Sequence, residues 1–594
     1  MKRLKRLTTV ILTAIFVVTL AGCAAPNAAQ QQANFDAFME NEFISEVESS
    51  GYLQMHQLFE EPQNFGIDPQ QVEVSFGDLP EDFTQAQVLA QLAMQRKRQR
   101  FSVFDRGLLT AEQQELYDIY DNILSQAEKS SQPKYAYLAG MWSTDAGLHL
   151  LLPMNLSALR ISQEQDIEDI LTLIEQIPEV FESYIAYTRE QEKRGLMMIP
   201  FEEALEGCRK QLQSGMQNAA LLDIKKKVSD LSPELSDEQI QAYHKQLNEA
   251  FEKHFLPAYE QLLRDLTSLQ NGNNNPYGLS HVEHGKEYYQ DVVFPSRVGN
   301  DRSVEESIEL LETWMKQADR EMFEVYRKSP NAIETFGNFV TSYTEYEDIV
   351  ADLLEKSQED FPEIERAAYH IEPIHQDQNV SSILAYYVKN AIDASAPDQI
   401  RVNPDIKANS VELFMTMAHE GAPGHMYQSN YVQQNKGMWS QLVRYLGYQE
   451  GYACYVGLYA LQYLEDMDPN ERQLFYAATL KSWLLSARLD IGIHYEGWKP
   501  EDLQKYLQRM GLNGSVAQDY YEQVQTMSPG SLLSYGVGVA EFLDLREYAQ
   551  QELGNQFTNS GFHEAILKSG PAPFSVVRGH VQAYVGEVRN QTIV

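Results

Sequence analysis

Residues 409–428 read Asn409-Ser410-Val411-Glu412-Leu413-Phe414-Met415-Thr416-Met417-Ala418-His419-Glu420-Gly421-Ala422-Pro423-Gly424-His425-Met426-Tyr427-Gln428. The apolar run after Ser410 predicts a helix that delivers His419 and Glu420 at its end. Two histidines four residues apart on a helix share one face and can hold one divalent ion, with a glutamate after the first serving as base. Here the histidines are six apart. On an unbroken helix six steps leave them about 120° apart, too far round to converge. The residues between them are Gly-Ala-Pro-Gly, and a proline without an N–H between two glycines breaks helical phase. A bulge of two residues there would turn the pair into an effective i,i+4 pair and keep Glu420 beside the ion. His419 and His425 are therefore candidate metal ligands, and Glu420 a candidate general base.

A third ligand is sought downstream. The stretch Leu446-Gly447-Tyr448-Gln449-Glu450-Gly451-Tyr452-Ala453-Cys454-Tyr455-Val456-Gly457-Leu458 is apolar and aromatic, with Glu450 its single acid. A buried carboxylate without a partner costs several kcal/mol, so it must find a cation, a donor or a proton. A zinc ion on His419 and His425 would serve, giving a His₂Glu site with water in the fourth position; an arginine partner would serve as well. Gly457, seven residues on, and Cys454, four on, supply no second carboxylate.

Further blocks follow: Arg488-Leu489-Asp490-Ile491-Gly492-Ile493-His494-Tyr495-Glu496-Gly497-Trp498, Ser534-Tyr535-Gly536-Val537-Gly538, Leu545-Arg546 and Phe562-His563. With the two segments above, they resemble the bacterial domain-of-unknown-function family 885 over about residues 35–594. That family is similar to the thimet-oligopeptidase and Taq-carboxypeptidase group of largely helical gluzincin metallopeptidases. The resemblance implies one Zn²⁺ per chain, peptide-bond hydrolysis and a deep channel between helical lobes. Such a reaction needs a donor to the tetrahedral oxyanion besides the metal. Tyr535, in a Gly-flanked loop after Ser528-Pro529-Gly530, is the first candidate and His494 the second, although His494 also reads as a cap before Gly497-Trp498. Arg488 and Arg546 are candidate binders of a substrate carboxylate.

Composition narrows the alternatives. The chain has 594 residues, 43% hydrophobic and 22% charged, which suits a globular protein with a sizeable core. Its 47 Lys+Arg against 85 Asp+Glu give a net charge of −38. That excess repels phosphate, and no basic stripe with interleaved aromatics occurs, so nucleic acid is excluded as a partner. Neither a serine nucleophile elbow nor a phosphate loop is present, and Gly536-Val537-Gly538 lacks the rest of a dinucleotide fingerprint. Apart from His281 and His284, three apart in a loop-like stretch and read as exposed, the remaining histidines lack ligand spacing.

The N-terminus reads as an address. Lys2, Arg3, Lys5 and Arg6 precede an apolar run from Leu7 to Leu20, about 14 residues against the ~20 that span a bilayer. Leu20-Ala21-Gly22-Cys23 then resembles a bacterial lipoprotein signal. Residues 1–22 are expected to be removed and Cys23 lipidated, which places the protein at a membrane outside the cytoplasm. Cleavage takes away four basic groups and no acid, moving the charge from −38 to −42. Such a charge keeps the body off anionic headgroups, on a flexible Ala/Gln-rich spacer that ends at residue 34. Cys208 and Cys454 are too few for a disulfide framework and are expected as isolated core thiols.

From residue 35 the chain reads as mainly α. Capping boxes are expected at Thr84/Gln87, Thr110/Gln113, Ser162/Gln165, Ser236/Gln239 and Ser303/Glu306. Apolar stripes run through Ile167, Leu171, Ile174 and Ile177, and through Ile308, Leu311, Met315, Ala318, Met322 and Val325. Breaks at Asn271–Pro276 and Ser329-Pro330 suggest a loose division near 330, giving an N-terminal helical lobe over 35–330 and a zinc-site lobe over 331–594. Short β-type runs at Ala368–Ile371, Ala385–Val388 and Gln399–Val402 predict a small sheet inserted before the active-site helix. The expectation is a large, two-lobed, metallopeptidase-like helical fold. Three functions fit it: a lipid-anchored zinc peptidase acting on oligopeptides, a silent peptide- or solute-binding lipoprotein, and a zinc amidase acting on cell-wall peptides. An intact Glu420 favours catalysis over silent binding. The sequence leaves the oligomeric state open.

Overall fold

The computed structural model describes residues 27–591 apart from 78–79, 81, 300, 333–335, 366–367, 375–382 and 395. The expected signal peptide over 1–22, the expected lipidation position Cys23 and His375 lie outside the described residues. The helices that matter for packing and for the site are α1 (Ala28–Ser50), α2 (Phe83–Phe101), α3 (Ala111–Ser130), α4 (Glu164–Arg194), α5 (Asp237–Ala250), α6 (Val304–Lys328), α7 (Val411–Glu420), α8 (His425–Asn435), α9 (Leu446–Ala460), α10 (Pro469–His494), α11 (Leu533–Leu553) and α12 (Asn559–Lys568). The fold is mainly α, as the periodicity predicts. Among the described residues no helix is long and apolar enough to cross a membrane.

Three capping boxes form as expected, at Thr110, Ser236 and Ser303. The other two give way to nearby carboxylates. Asp82 caps α2 by accepting from the N–H groups of Thr84 and Gln85 at 2.9 and 3.2 Å. At α4 the Asp166 carboxylate accepts from the N–H groups of Ser162 and Gln163 at 2.7 and 3.1 Å. An ionised carboxylate is the stronger acceptor for these unpaired amides and displaces the hydroxyl and amide caps.

Helix α1 begins at Ala28, capped by the side chain of Asn27. The spacer expected up to residue 34 is therefore already helical from Ala28. One tie is tertiary, Gln32 Nε2 donating to Leu108 O at 2.9 Å, and one is local, Gln30 Nε2 donating to Asn34 Oδ1 one turn on at 2.8 Å. Four residues, Ala24 to Asn27, lie in sequence between Cys23 and the helix.

Two large apolar cores form, and the chain passes between them near residues 270–278. One is built from Phe43 to Leu269, with α4 supplying Ile167, Ile170, Leu173, Ile174 and Ile177 at 0–1% exposure. The other gathers most buried apolar residues from Leu279 to Val585 together with Ile119, Tyr135 and Leu138, with a smaller cluster of its own around Leu503 and Tyr521. Of the two expected breaks, the Asn271–Pro276 turn lies nearer than Ser329-Pro330 to where most of the two cores part. Helix α6 goes with the second core, its Leu310, Leu311 and Met315 joining that cluster as the helix packs on α10. Cys208 and Cys454 are buried free thiols.

The inserted sheet has strands β1 (Tyr369–Pro373), β2 (Ala385–Val388) and β3 (Asp398–Val402) in the order β1-β3-β2. The β1–β3 pair is parallel and the β2–β3 pair antiparallel, with Tyr386 opposite Arg401. Ile400 and Val402 of the central strand are fully buried. Strand β2 is an edge, packed on α7.

Candidate metal centre

Helix α7 is amphipathic by construction. Val411, Leu413, Phe414, Met415, Met417 and Ala418 are buried, and Ser410 caps the start by accepting from Leu413 N–H at 3.0 Å. The helix stops after Glu420. Rather than bulging within one helix, the Gly-Ala-Pro-Gly segment forms a turn between α7 and a second helix, α8, which starts at His425. Its glycines are required by proximity: a Cβ on Gly424 would fall 1.8 Å from the carbonyl oxygen of His419. Tyr452 of α9 pins the turn by donating to Pro423 O at 2.8 Å. The two histidine rings come to 4.7 Å between centroids, nearly perpendicular at 89°. The convergence expected of the i,i+6 pair is present, by a route other than the expected bulge.

Glu450 closes the site. Its Oε2 lies 3.4 Å from Nε2 of His419 and 3.4 Å from Nε2 of His425. Around a tetrahedral zinc with ligand bonds near 2.0–2.1 Å, neighbouring ligand atoms stand about 3.3 Å apart. Both separations from Glu450 therefore already match the edge of such a tetrahedron. Glu420 belongs to the same cluster, its ligand atom within 4.8 Å of those of His419 and His425. Its Oε2, however, accepts from the Tyr387 N–H at 2.9 Å, which leaves Glu450 the better third ligand. The donor is an outward N–H of the edge strand β2, so the small sheet orients the candidate base.

Electrostatics agree with this arrangement. Burial by itself would lower the His425 imidazole, but Glu450 and then Glu420 outweigh it and push the group up to about 9. Burial would likewise raise Glu450, yet His425 and His419 hold its carboxyl well below the usual range. Among the described residues neither Nδ1 is hydrogen-bonded to a carboxylate. Gly457 sits where α9 meets α7, a Cβ there lying 3.3 Å from Met415 O and 3.8 Å from the His419 Cβ.

Tyr535 is brought to the site. It lies in the first turn of α11, not in the expected loop, and its glycines have another purpose. A Cβ on Gly538 would fall 2.3 Å from Gly447 O, and one on Gly451 would fall 2.4 Å from the Gly538 carbonyl carbon. Helices α9 and α11 thus cross backbone to backbone, which places Glu450 and Tyr535 in one wall. The phenol ring lies 6.4 Å from the His419 ring, nearly parallel at 14°, and 37% of the residue remains exposed. Burial and then the neighbouring Glu450, Cys454 and Glu420 drive its pKa far up, so the hydroxyl stays protonated.

Three other candidates are not brought there. His494 is fully buried; its Nδ1 accepts from Leu279 N–H at 3.2 Å and its Nε2 faces Val524 O at 3.4 Å. Both ring nitrogens are committed to backbone, so it is a core tie between distant segments. Arg488, 4% exposed, donates to Glu496 at 2.7 Å and lies 4.4 Å over the Trp498 ring. Arg546 donates to the Tyr455 hydroxyl at 2.7 Å and to Asn559 Oδ1 at 2.6 Å, and lies 5.3 Å over Tyr459. Both guanidiniums brace packing and are not offered to a substrate carboxylate. His281 and His284 are exposed, bonded to Gly497 O and Glu287 respectively.

The buried imidazoles carry a pH prediction. His563 faces Asp360 O through Nδ1 and the Tyr455 hydroxyl through Nε2, so it is neutral with Nδ1 the donor. Burial lowers His494 and His149 to about 4 and His563 to about 3, against 6.5 for the free side chain. The unfolded chain takes up these protons as pH drops through 6.5, whereas the folded chain resists until about 4 or below. Stability from this source is complete above pH 6.5 and is lost as pH falls, on the order of 3 kcal/mol per group at the limit. Denaturant midpoints should fall steadily from pH 6.5 to 4.5; a flat profile would contradict the assignment.

Two solved structures share the fold. A "putative lipoprotein" from Colwellia psychrerythraea is 16% identical with a TM-score of 0.78, the match covering 94% of this chain and 100% of that one. A second, from Shewanella oneidensis and described as of unknown function, is 17% identical with a TM-score of 0.59, covering 93% and 99%. No curated protein matches the chain. The bacterial family of unknown function DUF885 matches residues 66–581, most of the chain, and the protein belongs to that family.

Proposed function

We propose that this protein is a zinc-dependent peptidase, anchored outside the cytoplasm through a lipid on Cys23. The observation that carries the reading is the pair of equal 3.4 Å separations between Glu450 Oε2 and the two imidazole Nε2 atoms. His419, His425 and Glu450 would hold the ion, leaving a fourth position open. A zinc ion bound there supplies Lewis-acid polarisation of a carbonyl and makes a neighbouring water more acidic.

The rest falls to the chain's own groups. Glu420, steadied at Oε2 by the Tyr387 N–H, takes the proton of the attacking water on its free oxygen and returns it to the leaving amine. Tyr535, protonated and partly exposed, donates to the oxygen that gains charge as the carbonyl becomes tetrahedral. Such a set cleaves amide bonds. The two lipoprotein-named structural relatives and the sequence around Cys23 support the location.

The test is mass-spectrometric mapping of cleavages in a mixed peptide library, with a chelated control. Metal-dependent cuts are expected. Cuts at a fixed distance from the C-terminus would mean carboxypeptidase action, and cuts scattered within short peptides an oligopeptidase. Cleavage confined to cell-wall peptides would instead make the protein an amidase, and no cleavage of any peptide would overturn the reading.

A further inference from the structure

Asp490, near the end of α10, is 1% exposed and, among the described residues, has no cation hydrogen-bonded to it. Its partners are both donors. The Tyr289 hydroxyl stands 2.6 Å from Oδ1, and the Gly530 N–H reaches Oδ1 and Oδ2 at 3.1 and 2.9 Å. Gly530 has φ +81°, and a Cβ there would fall 2.5 Å from Val293 Cγ1, so the turn is specified tightly. Leu533 N–H then donates back to Gly530 O at 3.1 Å, and α11 begins with Tyr535 in its first turn. The upstream end of the turn is held from the other core: Thr144 N–H donates to Thr526 O at 3.0 Å, and Asp145 accepts from Ser528 N–H at 2.8 Å. Nothing in the proposed chemistry uses Asp490, yet its carboxylate fixes the segment that sets where Tyr535 starts.

We infer that Asp490 is a positioning residue for Tyr535, acting through the Gly530 turn to hold the phenol beside His419. An amide or acid in its place would keep an acceptor toward Tyr289 but set an N–H or O–H against the Gly530 N–H on the Oδ2 side, which the carboxylate avoids. Burial pushes its carboxyl up to about 7, opposed by the Tyr289 and Gly530 bonds and by Arg297, with Asp145 adding to the rise. The activity readout rests on the peptidase reading; the position of Tyr535 does not.

The test is a double-mutant cycle in the zinc-loaded protein, read together with the ¹⁹F resonance of fluorotyrosine at position 535. Asp490→Asn should lower kcat by about tenfold or more with KM and zinc content nearly unchanged, and should shift or broaden the resonance. Tyr535→Phe should lose about 100-fold, and the double variant no more than Tyr535→Phe alone. Losses that multiply, or an unmoved resonance, would overturn the inference. Should Asp490→Asn fail to fold, Asp145→Ala at the exposed end of the turn must move the same resonance, and its silence would overturn the inference equally. A wild-type protein that binds zinc but cuts no peptide would sink the peptidase reading and leave the resonance to decide on Asp490.

Discussion

Glu420→Gln is expected to retain one zinc per chain and to lose at least about 10³-fold in peptide hydrolysis. The substitution keeps size and shape, and the Gln side-chain oxygen can still accept from the Tyr387 N–H at the 2.9 Å position. What it removes is the ability to take a proton from water. The metal ligands are untouched, because Glu450 and not Glu420 bridges the two imidazoles. Elemental analysis and turnover on the same sample separate the two effects. Full activity in Glu420→Gln would remove the base from the mechanism.

Glu450→Ala is expected to lose zinc altogether at micromolar metal, a drop in affinity beyond the roughly 10–100-fold typical of groups that only support ligands. Two imidazoles alone cannot complete the three protein ligands a catalytic zinc site requires. The variant should still fold. Helix α9 is held by its crossing with α11 at Gly451 and Gly538, and by the Tyr452 bond to Pro423 O, none of which involves the carboxylate. Losing the acid also removes the partner that raises His425, so that imidazole should titrate lower in the variant. Zinc retained at wild-type affinity would show that Glu450 is a buried structural acid.

The site was legible in the sequence where the chemistry is local. His419, Glu420 and His425 fall within seven residues, and the Pro/Gly content between them announces a break in phase, although not that the break makes two helices. Glu450 was found because one acid in an apolar stretch is anomalous. The strands showed through their β-branched and aromatic runs. What stayed hidden depends on distant contacts. The Tyr387 N–H that steadies Glu420 is a backbone group and leaves no trace in residue type. Gly536 and Gly538 beside Tyr535 read as loop glycines because close helix crossing and turn formation call for the same residue. His494 and Arg488 read as free polar groups, but their partners, Leu279, Val524 and Trp498, are fixed by the fold. Ser329-Pro330 does end a helix, but the side on which α6 packs is decided by α10, more than a hundred residues away.

The most direct test of the central claim is a zinc titration into metal-free protein with peptide cleavage followed at each addition. The expected result is hydrolysis that rises in proportion to zinc and levels off at one ion per chain, absent in Glu450→Ala. Hydrolysis that proceeds without metal, or zinc bound at one per chain with no peptide cut, would contradict it.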